Sequence, residues 1–188
     1  MSLLIVGLVA FLGVHLIPAV PAARLALIDR LGPQRYKLLF SLASAAGLVL
    51  IVAGFAHSGP RIPLFEPLPA ARALAPSAMT VSFILFAAAN MRCHLRRLLQ
   101  HPMLLGLLIW SAVHLLANGD RAGTLLFGAF LVYGTVDLVS AVARRAVKPF
   151  VPEVKFDAMA IVGGVAVAAI VMTFHRALFG VAVVPFGV

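Results

Sequence analysis

Leu3-Leu4-Ile5-Val6-Gly7-Leu8-Val9-Ala10-Phe11-Leu12-Gly13-Val14-His15-Leu16-Ile17-Pro18-Ala19-Val20 is a run of eighteen residues with one ionisable side chain, His15. Roughly 20 such residues, rising about 1.5 Å each, cross the hydrocarbon core of a bilayer. Pro18 and Pro21 close the run, because proline removes a helix donor and crowds the preceding turn. No basic stretch precedes it, and Arg24 and Arg30 follow it, so the expectation is an uncleaved membrane anchor and not a secretory signal.

Five further apolar runs follow. One spans residues 36–55, entered from Gly32-Pro33 and left through Ser58-Gly59-Pro60. Five prolines punctuate 60–76 and mark it as a connector, after which a third span starts at 73 or 77 and ends at 91. The fourth, 102–118, has Pro102 at its first helical position and Asn118-Gly119 as its stop. The fifth covers 124–142, and the sixth, 156–174, carries Gly163-Gly164, where close helix packing is natural. The fold expected is an all-α integral membrane bundle of about six transmembrane helices, a single domain over 1–188.

Composition points the same way. Hydrophobic residues make up 63% of the 188-residue chain and charged residues 11%, where soluble domains run near 45–50% and 25%. Mean hydropathy is +1.09. Six spans use roughly 120 residues, which leaves connectors and no room for a sizeable soluble domain.

The formal charge of +9 follows membrane topology, so no nucleic-acid partner is expected; the bilayer is. Connectors after the first, third and fifth spans hold Arg24, Arg30, Arg35, Lys37, Arg92, Arg96, Arg97, Arg144, Arg145, Lys148 and Lys155. The other side holds Arg61, Arg72, Arg121 and Arg176. Lysine and arginine gather on the cytoplasmic side, so both termini are expected outside the cytoplasm. One cysteine, Cys93, excludes an internal disulfide.

Ionisable side chains inside a membrane are costly and mark cavities or sites. His15 lies near the cytoplasmic end of its span, where Ser41, Ser44, Asn90 and Asp137 are expected to add a polar layer. Asp137 also has the plainer reading of a partner for a loop arginine. His114 lies in the outer half of the fourth span, on one helix face with Met103, Leu107 and Trp110. His57, His94 and His175 read as interfacial residues at wet helix ends. Two neutral imidazoles from different helices are also the simplest way for a bundle to hold haem iron. With no C-x-x-C-H sequence, such a haem is b-type and non-covalent. Zinc spacings and glycine-rich phosphate loops are absent.

Gly13-Val14-His15-Leu16-Ile17-Pro18-Ala19, Tyr36-Lys37-Leu38-Leu39-Phe40-Ser41-Leu42, His101-Pro102-Met103-Leu104-Leu105-Gly106 and Trp110-Ser111-Ala112-Val113-His114-Leu115-Leu116-Ala117-Asn118-Gly119-Asp120 together resemble the NnrU family of bacterial inner-membrane proteins. That family is associated with denitrification, through nitrite and nitric oxide metabolism. It is also similar to the plant and cyanobacterial 15-cis-zeta-carotene isomerase, which uses haem b to isomerise a polyene. The resemblance implies haem b, His15 and His114 as axial ligands, and an apolar small molecule as a further partner. A cysteine of the isomerase is replaced here by Ser111, and the arginine before its His-Pro by Gln100.

The span assignments put His15 and His114 at different depths, about 10 Å or more apart, which leaves His15 with His101 as another pairing. His101-Pro102 with Gly106 also resembles an element of isoprenylcysteine-type membrane methyltransferases that holds S-adenosylmethionine. The C-terminal block of those enzymes is missing, and a polar residue before a proline at N1 is ordinary helix-start chemistry. A non-enzymatic accessory or assembly protein is the remaining alternative.

Overall fold

The structure, a computed structural model, describes residues 1–183. Its helices are α1 (Ser2–Leu16, continued by a 3-10 turn over Ile17–Ala19), α2 (Pro21–Leu31), α3 (Pro33–Ala56), α4 (Pro69–Ala88), α5 (His94–Leu99), α6 (Pro102–Asn118), α7 (Arg121–Ala143), α8 (Val154–Thr173) and α9 (His175–Phe179). No β-strand forms among the described residues. Five helices, α1 with its 3-10 turn, α3, α4, α7 and α8, are long and apolar enough to cross a membrane. The equally apolar α6 is shorter, at 17 residues. The all-α membrane bundle expected from the sequence is the fold observed.

Proline starts the helices more often than it ends them. Pro21, Pro33, Pro69 and Pro102 all stand in the first turn, where the missing N–H has no intrahelical partner to lose. One expectation is corrected here. The proline-rich connector stops at Leu68, and Pro76 lies inside α4. Proline is tolerated within a membrane helix; the carbonyl that loses its amide donor to Pro76 is that of Arg72, four residues back, and the Thr80 hydroxyl makes the ordinary back-bond to the Pro76 carbonyl at 2.8 Å.

The helices pack in the order α3, α1, α7, α6, α4, α8, each against the next. Small residues set the close contacts, as expected where lipid removes any hydrophobic drive between helices. A Cβ on Gly7 would stand 2.6 Å from the Ile51 nitrogen, one on Gly47 would stand 2.8 Å from the Phe11 nitrogen, and one on Gly54 would collide with the Leu4 backbone. Backbone therefore lies on backbone between α1 and α3. Gly164 does the same for α8 against Ile84 of α4, whereas its neighbour Gly163 faces open space. Between α4 and α6 the fully buried Ser82 donates to the Gly106 carbonyl at 2.8 Å. The α1–α7 junction is looser, and aromatic rings fill it.

At one end the chain ties itself across the α6–α7 turn. The Leu64 and Phe65 amides donate to the Gly119 carbonyl, Leu68 to Leu116, and Arg121 to Ile62. The buried Asp120 carboxylate caps α7 through the Gly123 amide at 2.8 Å. The other end is basic. There Ser140 of α7 donates to the Ala19 carbonyl, and α8 meets the α4–α5 turn through Arg92–Glu153 at 2.6 Å and His94–Asp157 at 2.6 Å.

The Glu153 carboxylate also accepts from Lys155 at 2.7 Å. That hydrogen bond, with the positive charges of Lys155 and Arg92, holds its pKa below the ordinary 4.5. A carboxylate with a lowered folded pKa contributes stability above its ordinary pKa and loses it as pH falls through the folded value. The thermal midpoint of wild type should therefore exceed that of Glu153→Gln by a small constant amount above about pH 5, and the two should converge in more acidic buffer. Parallel melts across the pH range check this.

Candidate functional site

Phe11 and His15 on α1 stand one helical turn apart, and so do Trp110 and His114 on α6. Both pairs face α7. The His15 ring stacks on Phe11 at 4.2 Å and meets Phe40 at 5.2 Å and the edge of Tyr133 at 6.3 Å. The His114 ring lies 5.2 Å from Trp110 and 4.8 Å from Phe127. Phe130 joins the two groups, 5.9 Å from Phe11 and 5.5 Å from Trp110. A continuous aromatic seam thus runs from His15 to His114 along the junction of α1, α6 and α7.

Each histidine is oriented by its own helix. The Nδ1 of His15 lies 2.7 Å from the Phe11 carbonyl and that of His114 lies 2.8 Å from the Trp110 carbonyl. A carbonyl only accepts, so each Nδ1 carries a proton, and in the neutral ring Nε2 then keeps its lone pair. This is how ligating histidines are held, with the remote nitrogen donating to a fixed acceptor. Each imidazole taken singly is a suitable donor for haem iron, which takes neutral imidazoles within apolar walls. The two rings do not meet: His15 sits at the level of Tyr133 and His114 at that of Phe127. Six residues of α7 separate those levels, or about 9 Å of rise along that helix, a little under the offset of about 10 Å or more expected from the sequence.

The third histidine stands apart. His101 precedes Pro102, its carbonyl accepts from the Leu104 and Leu105 amides, and its buried Nε2 has no partner among the described residues. Among the described residues no ring contact joins it to His15 or His114. The backbone of His101-Pro102 thus does helix-start work. Ser111, where the isomerase has cysteine, is fully buried and donates back to the Leu107 carbonyl at 2.7 Å. The expected polar layer does not assemble as one network among the described residues. Ser44 bonds its own helix at Phe40. Asp137 accepts from the Tyr133 hydroxyl at 3.2 Å, in place of the loop arginine considered from sequence. Nor do three or more His, Cys, Asp or Glu side chains gather as a metal site among the described residues.

Beside the seam an open groove of about 590 Å³ lies between α1 and α7, within the usual range of ligand pockets. Its walls are apolar, from Leu12, Leu16, Ala129 and Val132, with Tyr133 on one side. Thr124, whose buried hydroxyl has no partner among the described residues, also lines it. Sequence reading missed Phe130, Tyr133 and Thr124. In a chain with 13 phenylalanines, an aromatic on α7 carries no mark of facing inward.

A family model described as NnrU protein matches residues 3–183. The chain belongs to the NnrU family. No curated protein and no solved structure matches it. Family membership agrees with the multi-pass helical fold, and the matched stretch takes in both ends of the seam.

Proposed function

We propose that this NnrU-family chain is a bacterial inner-membrane protein, its basic end in the cytoplasm and both termini outside, that binds haem b through His15 and His114. It serves nitrite and nitric oxide metabolism or a redox-dependent polyene isomerisation. One observation carries the reading: two helical histidines at the ends of one aromatic seam, each with Nδ1 held by a backbone carbonyl and Nε2 left to ligate. Haem b, when bound, supplies an iron centre for redox or electrophilic chemistry. The chain's own residues orient the imidazoles and exclude water. Ligation of one iron by both histidines calls for the rings of Phe11, Phe130 and Trp110 to part.

Detergent-purified protein from haem-supplied cells is expected to show a Soret band. His15→Ala or His114→Ala should weaken it by more than the roughly tenfold loss of affinity typical of removing a ligand's orienting partner. His57→Ala, at a histidine with the same bond to its i−4 carbonyl, should leave the band unchanged. A colourless preparation after haem loading would overturn the proposal and leave a non-enzymatic accessory role, with the histidines as packing residues. Equal loss in the His57 variant would remove His15 and His114 from the reading.

A further inference from the structure

The basic end carries a feature that the haem reading does not use. A surface pocket of about 390 Å³ opens between the α5–α6 junction and the connector from α7 to α8, lined by Arg97, Gln100, Lys148 and Phe150 among others. Most neighbouring cations are engaged. Arg92 and Lys155 share Glu153, and the Arg144 Nε donates to Ser140. The Arg96 guanidinium lies 5.0 Å over the Phe150 ring and donates to the Met91 carbonyl at 3.5 Å. The Arg97 and Lys148 side chains have no hydrogen bond, ion pair or ring contact among the described residues, and both line the pocket. Gln100 adds an amide there and adopts φ +61, a conformation that costs a non-glycine residue of order 1–3 kcal/mol and clusters at ligand clamps.

We infer that this pocket is a site for a phosphate-bearing anion, clamped between Arg97 and Lys148. Arginine grips phosphate oxygens through paired N–H groups and lysine adds a point charge. The pocket stands where α6 begins and α7 has just ended, beside the ends of two apolar helices, so the phosphodiester of an anionic phospholipid is the nearest source. Free phosphate shares the chemistry and is the other. The apolar wall of Phe150 beside the clamp suits a headgroup that continues into acyl chain.

The test uses the full chain in neutral detergent, with phosphatidylglycerol added and adducts counted by native mass spectrometry. Wild type should retain one lipid that Arg97→Gln/Lys148→Gln binds about thirtyfold more weakly, the loss expected for two basic groups at a membrane surface. Arg24→Gln/Arg30→Gln removes the same charge from α2 and should keep the adduct; circular dichroism checks that all three fold alike. Displacement by equimolar inorganic phosphate would support the site and make free phosphate its source, and persistence against it would support the lipid. Equal loss in both double variants, or no retained lipid and no phosphate binding in wild type, would overturn the inference.

Discussion

Gly54→Val is expected to leave little folded protein. The new Cβ would meet the Leu4 backbone on α1, and a backbone cannot rotate aside as a flexible side chain can. Overpacking a well-packed contact costs about 1–3 kcal/mol and more where nothing yields. Here the variant must push apart two helices that also touch at Gly7 and Gly47. A cost of about 3 kcal/mol or more is a large share of the stability of an ordinary domain. Gly163→Val is the matched control, on a spanning helix and facing open space; it should express and melt like wild type. Size-exclusion profiles and thermal melts in detergent measure both, and equal loss in the two would mean that the α1–α3 approach is not what matters.

Gly119→Val is the second large effect. Gly119 holds φ +71 after α6, where a β-branched residue is strained, and a Cβ there would strike the Phe65 carbonyl and approach the Pro67 ring at 3.2 Å. Its own carbonyl accepts the Leu64 and Phe65 amides, so the substitution both strains the turn and lifts the connector from it. Strain and clash together should cost about 3 kcal/mol, while Asp120→Ala, which removes only the α7 cap, should cost about 1 kcal/mol. Limited proteolysis reads the difference: Gly119→Val should be cut within 57–68 under conditions where Asp120→Ala and wild type stay intact. Resistance in the glycine variant would show that the connector is held by other contacts.

These two glycines show where sequence reading succeeds and where it stops. Gly119 was legible, because Asn118-Gly119 after an apolar run is a helix stop wherever it occurs. The roles of Gly7, Gly47 and Gly54 were not. Helices that face lipid on one side and protein on the other are apolar all round, so no polar stripe marks the outward face. The spans could be located along the chain, but their partners could not. Gly163-Gly164 marks the boundary well: the pair was read as a packing site, and only Gly164 packs. Pro76 was read as a breaker by a rule from water, and the membrane helix continues through it.

The candidate site divides the same way. His15 and His114 stood out because an ionisable group at membrane depth needs a reason. Their difference in depth was also legible, from counting residues. Trp110 was placed on the His114 face from its spacing, but what joins the two ends was not legible, since Phe11 and Phe130 read from sequence as ordinary apolar residues.

The knot of backbone hydrogen bonds between residues 62–68 and the 116–121 turn also sets a timetable. When the ribosome has made the connector, the carbonyls that receive its amides are still some fifty residues from being synthesised. At about 5–20 residues per second, that is a wait of roughly 3–10 s. During it α1 and α3 must survive in the bilayer as a pair, without α7 to lean on. Their backbone-to-backbone contact through Gly7, Gly47 and Gly54 needs no later segment. This backbone-to-backbone joint is therefore one that can close early, and it lets an unfinished chain wait for its other half.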